Sequence, residues 1–312
     1  MDDIILSIYV ATYNHENYIA RALDSILMQK TNYKFEVLVG EDCSTDSTRE
    51  ILKEYEKKYP GFFTMFYRKK NMYNSECNNQ RDLRQRCKGK YIIGLEGDDF
   101  WTDENKLQKQ VDFLEENPEY IAVAHNTVVV GEDSEPNGET YPECKDEEYT
   151  IKHFFSEIMP GQLTTVICHN YMIDDNFDTT IVNKGLIPGD RLLYFALLCH
   201  GKIYCMQEIM SAYRHITTHG SSFSATFRFD FKKHKVWQKE LIEYAKKHSS
   251  KKTVKIAEYQ LLCIIIKALF QRQLTLLQAF REFLKIKYKI STIIIGFKRI
   301  INKKILHKKL YA

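Results

Sequence analysis

Two hydrophobic periods alternate along the first hundred residues. Residues 4–12 form a run rich in Ile, Val and Tyr, the pattern of a buried strand, and from Glu16 to Met28 the residues Ile19, Leu23, Ile26 and Leu27 fall on one helical face. The pair then recurs. Residues 35–39 predict a second strand, and Ile51, Leu52 and Tyr55 mark the inner face of a helix that runs to Tyr59, stops at Pro60-Gly61, and has Ser44 or Thr45 as its expected cap. A strand over 62–67, a helix over 75–87 and a strand over 91–95 complete a β-α-β-α-β-α-β order. That order implies a mostly parallel sheet with right-handed crossovers, and it brings the exits of the first, second and fourth strands to one edge.

Past residue 100 the pattern is less regular. Leu107, Val111 and Leu114 have helical spacing, and residues 121–130 read as a strand on which His125 is expected to be structural. The polar, acidic stretch 131–150, with turn signals at Pro136-Asn137-Gly138 and Pro142, predicts a long surface loop beside the functional edge. A short helix from 150, a strand over 161–168, an apolar helix over 192–199 and a strand over 204–214 follow. From 227 onward the pattern is helical, with an apolar run, Leu261 to Ile266, too short and too charge-flanked to span a bilayer. The expected organisation is an α/β domain over 1–225 and a helical, basic extension over 226–312.

Charge sharpens that division. Residues 281–312 hold ten Lys or Arg and one Glu, a net of +9, so the first 280 residues carry −5 of the overall +4. An acidic body argues against nucleic acid as a partner, and the basic tail predicts contact with an anionic membrane surface. The eight cysteines include no C-x-x-C pair, which excludes a standard zinc motif and gives no sign of a disulfide framework. No basic region precedes an apolar segment at the start of the chain, so a cytoplasmic setting is expected.

The candidate chemistry sits at the strand exits. Glu96, Asp98 and Asp99 crowd the end of the 91–95 strand, where open α/β sheets bind ligands. Their mutual repulsion calls for an offset, and a hard divalent cation such as Mn²⁺ or Mg²⁺ holding a substrate phosphate would supply it; the simpler alternative is a turn and helix cap. No G-x-G-x-x-G follows the first strand, which removes the main support for a dinucleotide site. Tyr13 and Asp42 could instead hold a nucleotide base, although each also fits a purely local turn role.

Three motifs now combine. Val10-Ala11-Thr12-Tyr13-Asn14, Glu41-Asp42-Cys43-Ser44-Thr45-Asp46 and Leu95-Glu96-Gly97-Asp98-Asp99, in this order, resemble the inverting family 2 glycosyltransferases of GT-A fold over residues 4 to about 225. The resemblance implies a Rossmann-like, mixed, mostly parallel sheet flanked by helices. It also implies a metal-dependent enzyme that moves a sugar from a nucleotide diphosphate sugar, typically a UDP-sugar, to a saccharide or lipid-linked acceptor in bacterial cell-surface polysaccharide synthesis. By the same resemblance Ala11, Tyr13, Asp42, Asn71, Arg81 and Glu96 line the nucleotide site, with Asn79 as an alternative to Arg81. Asp98 and His219, or else His215, meet the metal, and Asp190 is the catalytic base. The chain departs from the family pattern where Glu96 and Glu41 replace aspartates and where Gly189 stands before Asp190. The implied place of action is the inner face of the cell membrane. A sugar nucleotidyltransferase, or a saccharide-binding module without catalysis, is the alternative; the first lacks its usual Gly-rich basic loop here.

Overall fold

The computed structural model describes residues 4–73, 77–186, 188–216 and 228–295. The chain divides into two compact units, residues 1–226 and 227–312. In the first, β1 (Leu6–Thr12), β2 (Phe35–Glu41), β3 (Phe63–Tyr67) and β4 (Tyr91–Glu96) alternate with α1 (Ile19–Leu27), α2 (Thr48–Lys58) and α3 (Asn79–Arg86). The short β5 (Phe100–Trp101), α4 (Lys106–Glu116), β6 (Tyr120–Val130), β7 (Glu148–Tyr149), α5 (Ile151–Phe154), β8 (Ile167–His169), α6 (Gly189–His200) and β9 (Lys202–Arg214) follow.

One sheet collects the nine strands among the described residues in the order β3-β2-β1-β4-β8-β6-β9-β5, with β7 also on β9. β3, β2, β1 and β4 are mutually parallel, so the exits of β1, β2 and β4 share one edge, as the alternation predicts. Parallelism breaks at β8, which runs antiparallel to both β4 and β6, whereas β6 and β9 are parallel. Covered on both faces, the central strands are continuous apolar runs: Ile8, Val10, Ile93 and Leu95 pack with Ile19, Leu23, Leu107 and Val111 from the flanking helices.

Some local expectations are corrected. The helix expected over 75–87 begins only at Asn79, where the Asn78 side chain accepts the Arg81 N–H, and the one expected from 150 is the single turn of α5. Neither Ser44 nor Thr45 caps α2. The Ser44 hydroxyl accepts the Asn14 N–H, the Thr45 N–H goes to Asn14 Oδ1, and it is Asp46 Oδ1 that accepts the Thr48 N–H. Residues that read as a local cap instead bind the two strand exits together. His125 is structural as expected: it is fully buried, with Nδ1 on the Asn126 carbonyl.

In the second unit, α7 (Phe231–His248) and α8 (Lys251–Phe270) start on side-chain caps from Asp230 and Ser250, and α9 (Leu276–Leu284) starts on a Thr275/Gln278 capping box. The chain turns helical again from 289. No described helix is long and apolar enough to cross a membrane.

Candidate active site

The crevice forms where β1, β2 and β4 end. Asn14 (φ 54°) and Cys43 (φ 63°) turn the first two exits through left-handed backbone, a conformation that Asn tolerates and that other side chains adopt at a cost. The Asp42 N–H donates to the Thr12 carbonyl, Asp42 Oδ1 accepts the Met72 N–H at 2.8 Å, and Asn71 Nδ2 donates to the Asp42 carbonyl. Asp42 and Asn71 are thereby brought together at the β1 exit, next to which Tyr13 stands half-buried in the chain. Burial pushes the Asp42 carboxyl upward, against the Met72 hydrogen bond.

Gly97 permits the close approach at β4. A Cβ there would lie 2.6 Å from Thr12 Oγ1 and 2.8 Å from His15 Nδ1, so only glycine lets the acidic loop press against β1. Ligand oxygens of Glu96, Asp98 and Asp99 come within 4.8 Å of one another. Glu96 Oε1 meets Gln80 Nε2 at 3.3 Å, and Asp98 Oδ2 lies 3.9 Å from His15 Nε2. Asp99 Oδ1 accepts the Arg214 N–H, whereas its Oδ2 is buried without a hydrogen-bond partner. Burial, then Asp98, then Asp190 push the Glu96 carboxyl up to about 8, and burial with Asp98 and Glu96 raises Asp99. Three converging carboxylates, one with an orphan oxygen, form an all-oxygen donor set that fits Mn²⁺ or Mg²⁺.

Asp190 reaches the same crevice from α6. It stands in the first turn behind the N-cap Pro188, and its Oδ1 accepts the adjacent Arg191 N–H, so the carboxylate is not the cap itself. Burial raises it. Tyr141, from the 131–150 stretch, faces Asp190, Glu96 and Asp99 electrostatically, and its ring meets Tyr213 edge-on at 5.5 Å. Arg214 ties the parts together: Nε donates to the Asp98 carbonyl, Nη2 to Ser134 Oγ, Nη1 to the carbonyls of Gly131 and Glu132, and the guanidinium lies 4.0 Å from the Tyr18 ring centre.

Residues 7–173 match the family model described as glycosyl transferase family 2. The chain belongs to that family. An uncharacterized protein of Mycobacterium tuberculosis is 32% identical over 209 residues, 67% of this chain and 58% of its own length. This family 2 chain thus spans less than two thirds of that relative. The UDP-Glc:alpha-D-GlcNAc-diphosphoundecaprenol beta-1,3-glucosyltransferase WfgD of Escherichia coli is 30% identical over 146 residues, 45% of this chain and 55% of its own. Among solved structures, Staphylococcus aureus TarS residues 1–349 in complex with UDP-GlcNAc superposes with a TM-score of 0.63 at 17% identity, covering 91% of this chain and 77% of that one. The sheet is accordingly that of the GT-A fold.

The structure gathers Ala11, Tyr13, Asp42 and Asn71 around the β1 and β2 exits, and Glu96, Asp98 and Asp190 across the acidic cluster. Arg81 is turned toward the 182–184 turn, where Nη1 donates to the Asn183 carbonyl. Asn79 is structural: Nδ2 holds the Gly40 carbonyl and Oδ1 accepts from Arg68 Nε. Glu41 is structural as well, fully buried and paired with Arg49. His219 lies outside the described residues. His215 pairs with Glu139, and the described histidine beside Asp98 is His15. His15, Gln80 and Tyr141 went unassigned from sequence. His15 adjoins a recognised motif, but nothing local marks Gln80 or Tyr141.

Proposed function

We propose that this chain transfers one sugar from a nucleotide diphosphate sugar, a UDP-sugar in the first instance, to a hydroxyl of a glycan or lipid-linked saccharide, inverting the anomeric configuration. One observation carries the reading: Asp190, far along the chain from the β4 exit, comes close enough to the acidic cluster to raise Glu96. A base and a metal-binding set in one crevice are what an in-line displacement needs.

The base of the donor would lie against Tyr13, with Asp42 accepting its N–H and the Ala11 backbone beside it; Asn71 braces Asp42. Glu96, Asp98 and Asp99 would hold Mn²⁺ or Mg²⁺, with His15 and His219 as further candidates, and the ion when bound would offset charge on the departing diphosphate. Asp190 would take the acceptor hydroxyl's proton as that oxygen attacks the anomeric carbon and the bond to the β-phosphate oxygen breaks. A carboxylate raised by burial is a better base than an exposed one. The likeness to WfgD, which uses UDP-Glc and a diphosphoundecaprenol-linked acceptor, and to TarS bound to UDP-GlcNAc supports a UDP-sugar and a lipid-linked acceptor. With such an acceptor the reaction would belong to cell-surface polysaccharide synthesis and would run at the inner face of the cell membrane.

The test is Asp190→Asn. Donor binding should stay close to wild type while turnover falls by about 10² to 10⁴, and NMR of the wild-type product should show the anomeric configuration opposite to that of the donor. Normal turnover in the variant would remove Asp190 from the chemistry, and retention would remove the in-line displacement.

A further inference from the structure

The helix α9 is amphipathic with its apolar side turned out. Leu276, Leu277, Phe280 and Leu284 share one face, and their relative exposures are 76%, 59%, 57% and 51%, whereas the one buried residue of the helix is Ala279. Soluble helices normally show the reverse. Its orientation is fixed by polar contacts. Glu282 accepts Lys235 Nζ at 2.8 Å from α7 and Lys285 Nζ at 2.7 Å, and the Thr275/Gln278 capping box fixes the start.

The following stretch repeats the arrangement. Glu258, buried on α8, accepts the N–H groups of Lys287 and Tyr288, which pins the turn before the helical residues from 289. There Ile286 and Thr292 face inward while Ile290, Ile293 and Ile294 are exposed. Phe270, at the end of α8, is exposed too. Four large apolar side chains exposed together on one helix face mark an interaction site.

Charge identifies the occupant. Residues 227–312 contain 22 Lys or Arg against 5 Asp or Glu, a net of +17, whereas residues 1–226 carry −13. The exposed Arg281, Lys285 and Lys287 stand beside the apolar residues. Two copies of such a unit repel each other, which disfavours self-association through this face. A surface that is both apolar and anionic fits, since Leu and Phe can enter the acyl boundary while Lys and Arg meet the headgroups.

We propose that the outward face of α9, with Ile290, Ile293 and Ile294, is a docking surface for an anionic lipid bilayer. The proposal stands independently of sugar transfer, because docking is measured without donor or acceptor, and failure of one leaves the other intact.

The full chain would be floated with vesicles of phosphatidylcholine containing 30 mol% phosphatidylglycerol, and with phosphatidylcholine alone. Strong flotation is expected with the first and little with the second. The double variant Leu277→Glu/Phe280→Glu should lower vesicle-bound protein at least tenfold, with an unchanged circular dichroism spectrum and melting temperature showing that it folds. Arg281→Glu/Lys285→Glu, which leaves the apolar face whole, should lower it too and make the remainder less sensitive to salt. Failure of the intact chain to float, equal flotation of the variants, or concentration-dependent dimers dispersed by Leu277→Glu/Phe280→Glu would overturn the proposal.

Discussion

The exits of β2 and β4 flank β1 on either side and look alike in sequence, each a pair or trio of acids closing an apolar strand. Their carboxylates do different things. At β2, Glu41 is fully buried and fully engaged, accepting the Ser44 N–H and pairing with Arg49, whose Nη2 also holds the Arg68 carbonyl. At β4, none of Glu96, Asp98 and Asp99 forms an ion pair with a Lys or Arg among the described residues, and Asp99 Oδ2 has no hydrogen-bond partner. Arg214 is close, but its guanidinium goes to backbone carbonyls and Ser134 rather than to the carboxylates. The difference lies in what each turn aims inward. The β2 turn supplies a backbone N–H and the first turn of α2 supplies Arg49, so charge is neutralised within the protein. The β4 turn supplies only Gly97's space, and no Lys or Arg among the described residues pairs with its carboxylates; under the proposed function a divalent cation would take that place.

Removing one acid from each exit should therefore give opposite results, and the larger effect belongs to β4. Asp98→Asn should abolish the Mn²⁺ enhancement of UDP binding measured by titration calorimetry, a loss of tenfold or more, each tenfold being about 1.4 kcal/mol. Thermal stability without metal should hold or rise, because the substitution relieves repulsion felt by Glu96 and Asp99. Metal-stimulated binding that survives intact would reduce the cluster to a turn.

How far this contrast was legible in the sequence depends on how local its causes are. β4 was legible because a strand covered on both faces must be apolar throughout, and the acids were legible because they follow it directly. The sharing of one edge by three exits followed from chain order alone. Glu41 was not legible: it occupies a motif position, and only Arg49 packed against it shows that its charge is used inside the protein. The same holds for Ser44 and Thr45, whose partner Asn14 is about thirty positions away, and for Arg214, which reaches back to Asp98 and Gly131. Cys43 at φ 63° holds a left-handed backbone that favours glycine, a demand that becomes visible only once the turn is seen. The helical unit was legible as helices, but not the inversion of α9, since periodicity finds a face without saying which way it points.

The second substitution sharpens the comparison from the β2 side. Glu41→Gln puts an amide between donors that need an anion, and breaking a buried pair costs about 3 kcal/mol. Urea unfolding should show that loss, while the metal dependence of UDP binding, corrected for folded fraction, should match wild type. A variant as stable as wild type would mean that the two exits differ less than their geometry indicates.

The smallest effect concerns the support behind the β2 exit and depends on pH. Arg68 follows β3, its N–H donates to the Glu41 carbonyl, its Nε to Asn79 Oδ1 and its Nη2 to Asp82 at 2.5 Å; Asp82 also holds Arg86. The hydrogen bond from Arg86 is the largest influence on the Asp82 carboxyl; with Arg68 it outweighs burial and lowers the carboxyl below its usual range. A carboxyl depressed on folding stabilises fully above its unfolded pKa near 4, and the contribution disappears as pH falls through the folded value. Asp82→Asn should therefore cost about 1 kcal/mol at pH 7, the scale of a partly exposed pair. The gap to wild type should be unchanged down to about pH 5, narrow below about pH 4, and close as pH falls through the folded value. The β4 cluster predicts the opposite sign, since Glu96 is raised rather than lowered: at neutral pH it must take up a proton on folding, a cost that shrinks as pH falls toward its unfolded value. A gap between wild type and Asp82→Asn that widened on acidification would show that Asp82 is not held as an anion, and the β2 exit would lose the cationic brace that distinguishes it from β4.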